Sequence, residues 1–179
     1  MQDFALRLAT LDDCAAIDAL IARSIRTLGA GDYTTEQIEQ ALKGAFGLDT
    51  QLIKDRTYFV AESDGRVVGC GGWSKRKTLF GSDARNGRDA GILEPGKDAA
   101  KIRAFFVDPG FARRGIGAAL LARCEAEAAS AGYLRYEMMA TLPGVRLYSA
   151  YGYTAQPSIQ HPLTPTLTIE FVPMNKKSK

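Results

Sequence analysis

Histidine is almost missing from this 179-residue chain: His161 is the only one. No Ser-His-Asp triad and no His-based zinc cluster can be assembled around a single imidazole. His161 stands next to Pro162, a setting that reads as a surface loop. Cysteine is sparse too, with Cys14, Cys70 and Cys124 odd in number and without metal-ligand spacing. Two of them fall on the apolar faces of expected helices, where cysteine behaves as a small hydrophobe. The pattern reads as a reduced, cytoplasmic protein without structural disulfides. No stretch reaches the roughly 18 apolar residues of a membrane span, and the N-terminus lacks a basic-then-apolar leader, so no membrane partner is expected. An excess of one charge is also lacking: 23 Lys and Arg face 20 Asp and Glu, a net +3. That balance suits an anionic small ligand as well as nucleic acid. Lys75, Arg76, Lys77, Arg113 and Arg114 could form a basic patch. Acids balance most of it and aromatics do not interleave, so a nucleic-acid-binding module is the weaker reading.

What the chain does have is a sequence of periodic segments long enough for one domain, residues 1–179. Phe4, Leu6 and Leu8 alternate as a first strand. Thr10 then fits an N-cap before the stripe Cys14, Ile17, Ile21, Ile25, Leu28. Thr34 and Gln37 form a capping box for a second helix. Two strands, 58–62 and 67–73, flank Ser63-Asp64-Gly65-Arg66, where Asp-Gly supplies a hairpin turn. Residues 75–101 read as a long surface loop. A strand over 101–107, a helix from about Gly115 to Ala131, a strand over 134–140 and a short helix from Pro143 to Tyr151 follow. Tyr153 opens another strand, and 166–172 closes the sheet. Residues 172–179, with Lys176, Lys177 and Lys179, read as a solvated tail.

The centre of the chain is Ile102 to Leu121. Phe105-Phe106-Val107 is strand-like, Asp108-Pro109-Gly110 turns, and Arg113-Arg114-Gly115-Ile116-Gly117 opens a helix whose face is Ile116, Leu120, Cys124 and Ala128. A helix N-terminus presents unpaired amides and a dipole that favours an anion. Glycines let that backbone approach closely, and arginines add donors matched to phosphate oxygens. The stretch reads as a phosphate cradle; a tight helix start with solvated arginines is the plainer alternative. Gly91 to Asp98 imitates a nucleotide-binding loop, but Asp98 stands where a magnesium-holding hydroxyl belongs.

The ordered set of strand, Val-x-Pro, basic residues, Gly-x-Gly and amphipathic helix resembles the acetyl-CoA-binding motif of the GNAT superfamily of N-acetyltransferases. Its Gln/Arg-x-x-Gly-x-Gly/Ala pattern falls on Ala112 to Gly117, with Ala112 departing from the first position. A second block, Leu147-Tyr148 with Gly152-Tyr153, matches the family's Leu/Phe-Tyr-x-x-x-Gly-Phe/Tyr. The resemblance implies an α/β (α+β) fold. It has a mixed, largely antiparallel sheet of about seven strands with a splayed parallel pair, flanked by about four helices.

It implies acetyl-CoA as acyl donor, a direct transfer to an amine acceptor without a metal, and room for a homodimer. Phe105, Phe106 and Val107 would hold the pantetheine arm through backbone bonds, and Arg113, Arg114, Gly115, Ile116, Gly117 and Ala118 the pyrophosphate. Tyr148 would protonate the departing thiolate, a task for a weak acid with a reachable hydroxyl. Its plainer reading is a core tyrosine. The base that frees the amine is open among Glu137, Glu62 and bulk water. A non-catalytic CoA-binding or sensory domain is the alternative that would keep the cradle.

Overall fold

The computed structural model describes residues 3–178. In chain order the elements are β1 (Ala5–Leu8), α1 (Cys14–Leu28), α2 (Thr35–Ala41), α3 (Thr50–Lys54), β2 (Tyr58–Ser63), β3 (Arg66–Ser74), β4 (Ala100–Val107), α4 (Ile116–Ser130), β5 (Arg135–Thr141), α5 (Leu142–Ala150), β6 (Thr154–Ala155), β7 (Ile159–Thr164) and β8 (Leu167–Lys177). Single 3₁₀ turns, Leu11–Asp13 and Pro109–Phe111, lead into α1 and toward α4. The sheet runs β1-β2-β3-β4-β5-β8-β6, with β7 also on β8. Every pairing is antiparallel except β4 with β5. This is the mixed, mostly antiparallel sheet expected, with α3 and β7 added. No helix among the described residues is long and apolar enough to cross a membrane.

Strand alternation divides the core between the two faces. Tyr58 and Val60 of β2 join Ile17, Leu20 and Ile21 of α1 and Ile38 of α2. Phe59 and Ala61 join Ile116, Leu120, Leu121 and Cys124 of α4. Each fully buried aliphatic or aromatic side chain stabilises this arrangement by about 1.5–3 kcal/mol. The Asp64-Gly65 turn has both residues at positive φ, 48° and 71°, as a two-residue hairpin of this twist requires.

Two expectations need correction. Residues 172–177 are not a solvated tail: β8 runs to Lys177 and pairs with β5 from Thr141↔Phe171 to Arg135↔Lys177. β8 lies inside the sheet, paired with β5 on one edge and with β6 and β7 on the other. Val172 and Met174 are buried there, and the Lys176 ammonium lies 2.7 Å from the Glu125 carboxylate. His161 is not on a loop but on β7, its ring stacked 5.9 Å from Phe171 and edge-on to Phe80 at 5.0 Å. Pro162 is tolerated beside it because β7 pairs with β8 alone and is an edge strand. The 75–101 segment is a surface loop whose base is pinched: Lys77 N–H donates to the Gly91 carbonyl (2.9 Å) and Leu93 N–H to that of Lys75 (2.8 Å). Its tip is sewn to the α2–α3 connection by Ser82 N–H to Gly44 O and Asp83 N–H to Leu48 O.

One ion pair fixes the start of α1. Arg7 donates to both Asp13 oxygens, at 2.8 and 2.9 Å, and the carboxylate also accepts the Thr10 amide. The Arg7 hydrogen bonds hold the Asp13 carboxyl down at about 2. A depressed carboxyl stabilises the fold above its unfolded value and stops doing so as pH falls through its folded one. Asp13→Asn is therefore expected to lower unfolding free energy by about 1–2 kcal/mol at pH 7, allowing for the exposed guanidinium. The gap between variant and wild type should shrink as pH falls from 4 toward 2; denaturant midpoints that coincide at pH 7 would contradict this.

Candidate active site

β4 carries the feature that opens the sheet. Its pairing with β5 covers only Ala100↔Tyr136 and Lys101↔Glu137. Beyond these, residues 102–107 and 138–141 diverge, and alternate backbone groups face a gap instead of a neighbouring strand. On its other side β4 is bulged. Cys70 opposes Phe106 and Gly72 opposes Arg103, so Ala104 and Phe105 share the space opposite Gly71. Ala104 takes φ 56°, which for a residue with a Cβ costs about 1–2 kcal/mol. The buried Tyr58 hydroxyl holds it by donating to the Ala104 carbonyl at 3.1 Å. Gly71 makes room for it, since a Cβ there would lie 2.9 Å from the Phe105 ring.

Two clefts meet at the gap. On the α4 side a cleft of about 610 Å³ runs from residues 105–107 past 111–113 and 115–118, roofed by Ile25 and Leu28 of α1. On the opposite side a smaller cavity of about 60 Å³ is walled by Phe46, Phe80, Phe106, Met139 and Phe171. Phe105, Phe106, Thr141 and Tyr148 line both.

The polar end of the larger cleft is made mainly of backbone. Gly115, at φ 84°, caps α4, and Arg113 takes φ 64° just before it. The first bond of the helical ladder is Ala119 N–H to Gly115 O at 2.9 Å. The amides from 113 to 118 have no acceptor among the described residues. Arg113 and Arg114 are exposed, and Arg114 lies 4.9 Å over the Phe111 ring. Asp108 caps the preceding 3₁₀ turn through the Gly110 amide and binds Arg23 of α1 at 2.7 Å, tying the roof to the cradle.

Tyr148 stands where the clefts join. It is 8 % exposed, edge-on to Phe105 at 6.2 Å and to Tyr153 at 6.0 Å. Its hydroxyl has no hydrogen-bond partner among the described residues. Burial pushes its pKa well above the usual tyrosine value, so the group stays protonated at neutral pH.

The structure thus brings together Tyr148, Phe105 to Val107 and Arg113 to Ala118, and leaves Glu137 apart. Glu137 pairs with Lys101 where β4 and β5 are still bonded, and it lines neither cleft. Glu62 is held by Arg7 at 2.8 Å, also away from the gap. Arg146 is the residue the sequence reading passed over. It lines the larger cleft with Pro143, Leu147 and Ala150. That i, i+3, i+4, i+7 spacing marks one face of α5 and was available in the sequence.

The acetyltransferase (GNAT) family profile matches residues 21–153. No functionally curated protein matches the sequence. Among solved structures, a GCN5-related N-acetyltransferase from Rhodopseudomonas palustris is similar at 20% identity and TM-score 0.73, over 99% of this chain and 97% of that one. The PaiA N-acetyltransferase of Thermoplasma acidophilum, solved with coenzyme A, has 15% identity and TM-score 0.65 over 97% and 98% of the two chains. YncA of Salmonella typhimurium, solved with its cofactor acetyl-CoA, has 17% identity and TM-score 0.63 over 99% and 95%. With its family profile spanning the cradle, the splayed strands and Tyr148, the chain belongs to the GNAT acetyltransferase family.

Proposed function

We propose that this protein transfers the acetyl group of acetyl-CoA directly to a primary amine. The observation that carries the reading is the splayed β4–β5 gap, with Tyr148 at the junction of two clefts. Two of the structural relatives were solved with coenzyme A or acetyl-CoA, which supports the choice of donor. The free amides and cations from Arg113 to Ala118 suit a diphosphate, because they offer fixed donors where no internal acceptor competes. Arg146 adds a further cation at the rim of the cleft. Backbone of Phe105, Phe106 and Val107 facing the gap would hold the pantetheine arm and polarise the acyl carbonyl.

The Tyr148 hydroxyl is the acid that gives its proton to the departing thiolate. The apolar walls of the smaller cavity favour the acceptor in its neutral form, since burial disfavours an ammonium. Solvent then takes the proton, and Glu137 is not needed. Free Cys14, Cys70 and Cys124 suit a reducing cytoplasm.

Thiol release from acetyl-CoA, followed with a panel of primary amines and their hydroxyl analogues, tests the reading. Amine-dependent turnover is expected. Tight acetyl-CoA binding with no amine raising thiol release above background would instead leave a CoA-binding domain without transfer.

A further inference from the structure

A second polar cavity of about 270 Å³ lies beneath the loop that closes the acceptor side, and Arg76, Arg85, Arg88 and Arg103 all line it. Three of these cations are already answered. Arg76 binds Asp55 through two bonds, at 2.6 and 2.8 Å. Arg88 and Arg103 share the buried Asp49 carboxylate, at 2.9 and 2.8 Å, with Asp83 3.4 Å from Arg88 at the rim. Arg85 has no carboxylate among the described residues. It gives one N–H to the Phe80 carbonyl (3.0 Å) and lies 4.2 Å over the Phe80 ring. The rest of its donor fork is uncommitted.

Arg103 lines this cavity and the aromatic cavity that reaches Tyr148, so the two share a wall. Phe80 connects them again, being a wall of the aromatic cavity and the platform for Arg85. A half-buried guanidinium without a counter-ion is a costly arrangement that a bound anion would relieve. Burial and the neighbouring Arg88 both weigh against the Arg85 charge, in keeping with that imbalance.

We propose that the acceptor is an amine carrying an anionic group, a carboxylate or a phosphate, which seats on Arg85 in the arginine-lined cavity while the amine reaches Tyr148 through the aromatic one. This rests on the acetyl-transfer reading and supplies its substrate class. The anion and the amine would sit in different cavities, with Arg103 in the wall they share. An α-amino acid, with both groups on one carbon, cannot occupy the two at once. Acceptors with several bonds between amine and anion can, their linker lying against Phe80, Phe106 and Phe171.

The test measures binding of 6-aminohexanoate, 5-aminopentyl phosphate and neutral hexylamine by calorimetry to wild type, R85Q and R85K, with acetyl-CoA titrated separately. At least one anionic amine is expected to bind about tenfold or more tightly than hexylamine. R85Q should erase that preference, and R85K should restore part of it. Preference for only one of the two anionic compounds identifies the group that the site takes. Hexylamine binding as well as both anionic compounds, or a full preference surviving in a folded R85Q, would overturn the proposal. Should the preference hold while acetyl-CoA fails to bind, the acetyl-transfer reading falls and the anion site stands.

Discussion

Gly117→Asp is expected to weaken acetyl-CoA binding by about 100-fold or more while leaving the protein folded. Gly117 lies in the first turn of α4, between the unpaired amides of Ile116 and Ala118. A carboxylate there would face the diphosphate that this turn is proposed to hold. Two like charges some 4–5 Å apart at the protein surface repel by roughly 3–4 kcal/mol, which sets the size of the effect. The same carboxylate suits the helix itself, because an acid in a first turn is stabilised by the dipole. The added Cβ would come 2.9 Å from a terminal methyl of Leu147, which a small side-chain rotation relieves. Gly117→Ala isolates that steric part and should cost far less affinity than the acid. Calorimetry with acetyl-CoA, paired with a thermal melt, reads both quantities. Unchanged affinity in a folded Gly117→Asp would remove the cradle from the cofactor site. Gly115 is the poorer position for this experiment, because its φ of 84° would strain any replacement and confuse folding with binding.

The cradle was legible because its chemistry is local: a turn, two glycines and two arginines within one strand-to-helix connection. The bulge beside it was not. Ala104 carries no mark of a left-handed conformation; its carbonyl is held by Tyr58, 46 residues away, and Gly71 leaves room for the neighbouring Phe105 ring. The position of Glu137 was hidden for a related reason. Alternation along β5 could put it on the acceptor face, but only the β4–β5 register shows that it lies where the strands are still joined, opposite Lys101. The arginine cavity was hidden more deeply. Its arginines come from β4 and three points of a loop without periodicity, and Asp49 joins them from the start of α3. The end of β8 shows the opposite error, where a familiar composition outweighed a pattern. Lysines suggested a tail, yet Val172, Met174 and Lys176 keep the period of two, and the last of them ends on Glu125.

Tyr148→Phe should lower kcat about 100-fold, the lower end of what a positioned general acid contributes, with acetyl-CoA affinity nearly unchanged. The ring's edge contacts with Phe105 and Tyr153 survive the substitution, so packing is kept and only the hydroxyl is lost. The hydroxyl has no internal partner, so its removal leaves no described donor or acceptor stranded. This makes the variant a clean probe of acid catalysis. The pH dependence separates it from a structural role. Burial raises the Tyr148 pKa, so deprotonation of this group lies above the range of an ordinary tyrosine and draws no falling limb below about pH 10. The wild-type rate should therefore climb with pH as the amine loses its proton. The phenylalanine variant should climb in parallel at a much lower level, because the amine step is untouched and the thiolate must take its proton from water. A variant with full kcat and the same profile would make Tyr148 a wall of the cleft. Departure of the thiolate would then need no acid from the protein, and the splayed backbone and the cradle alone would have to account for the rate.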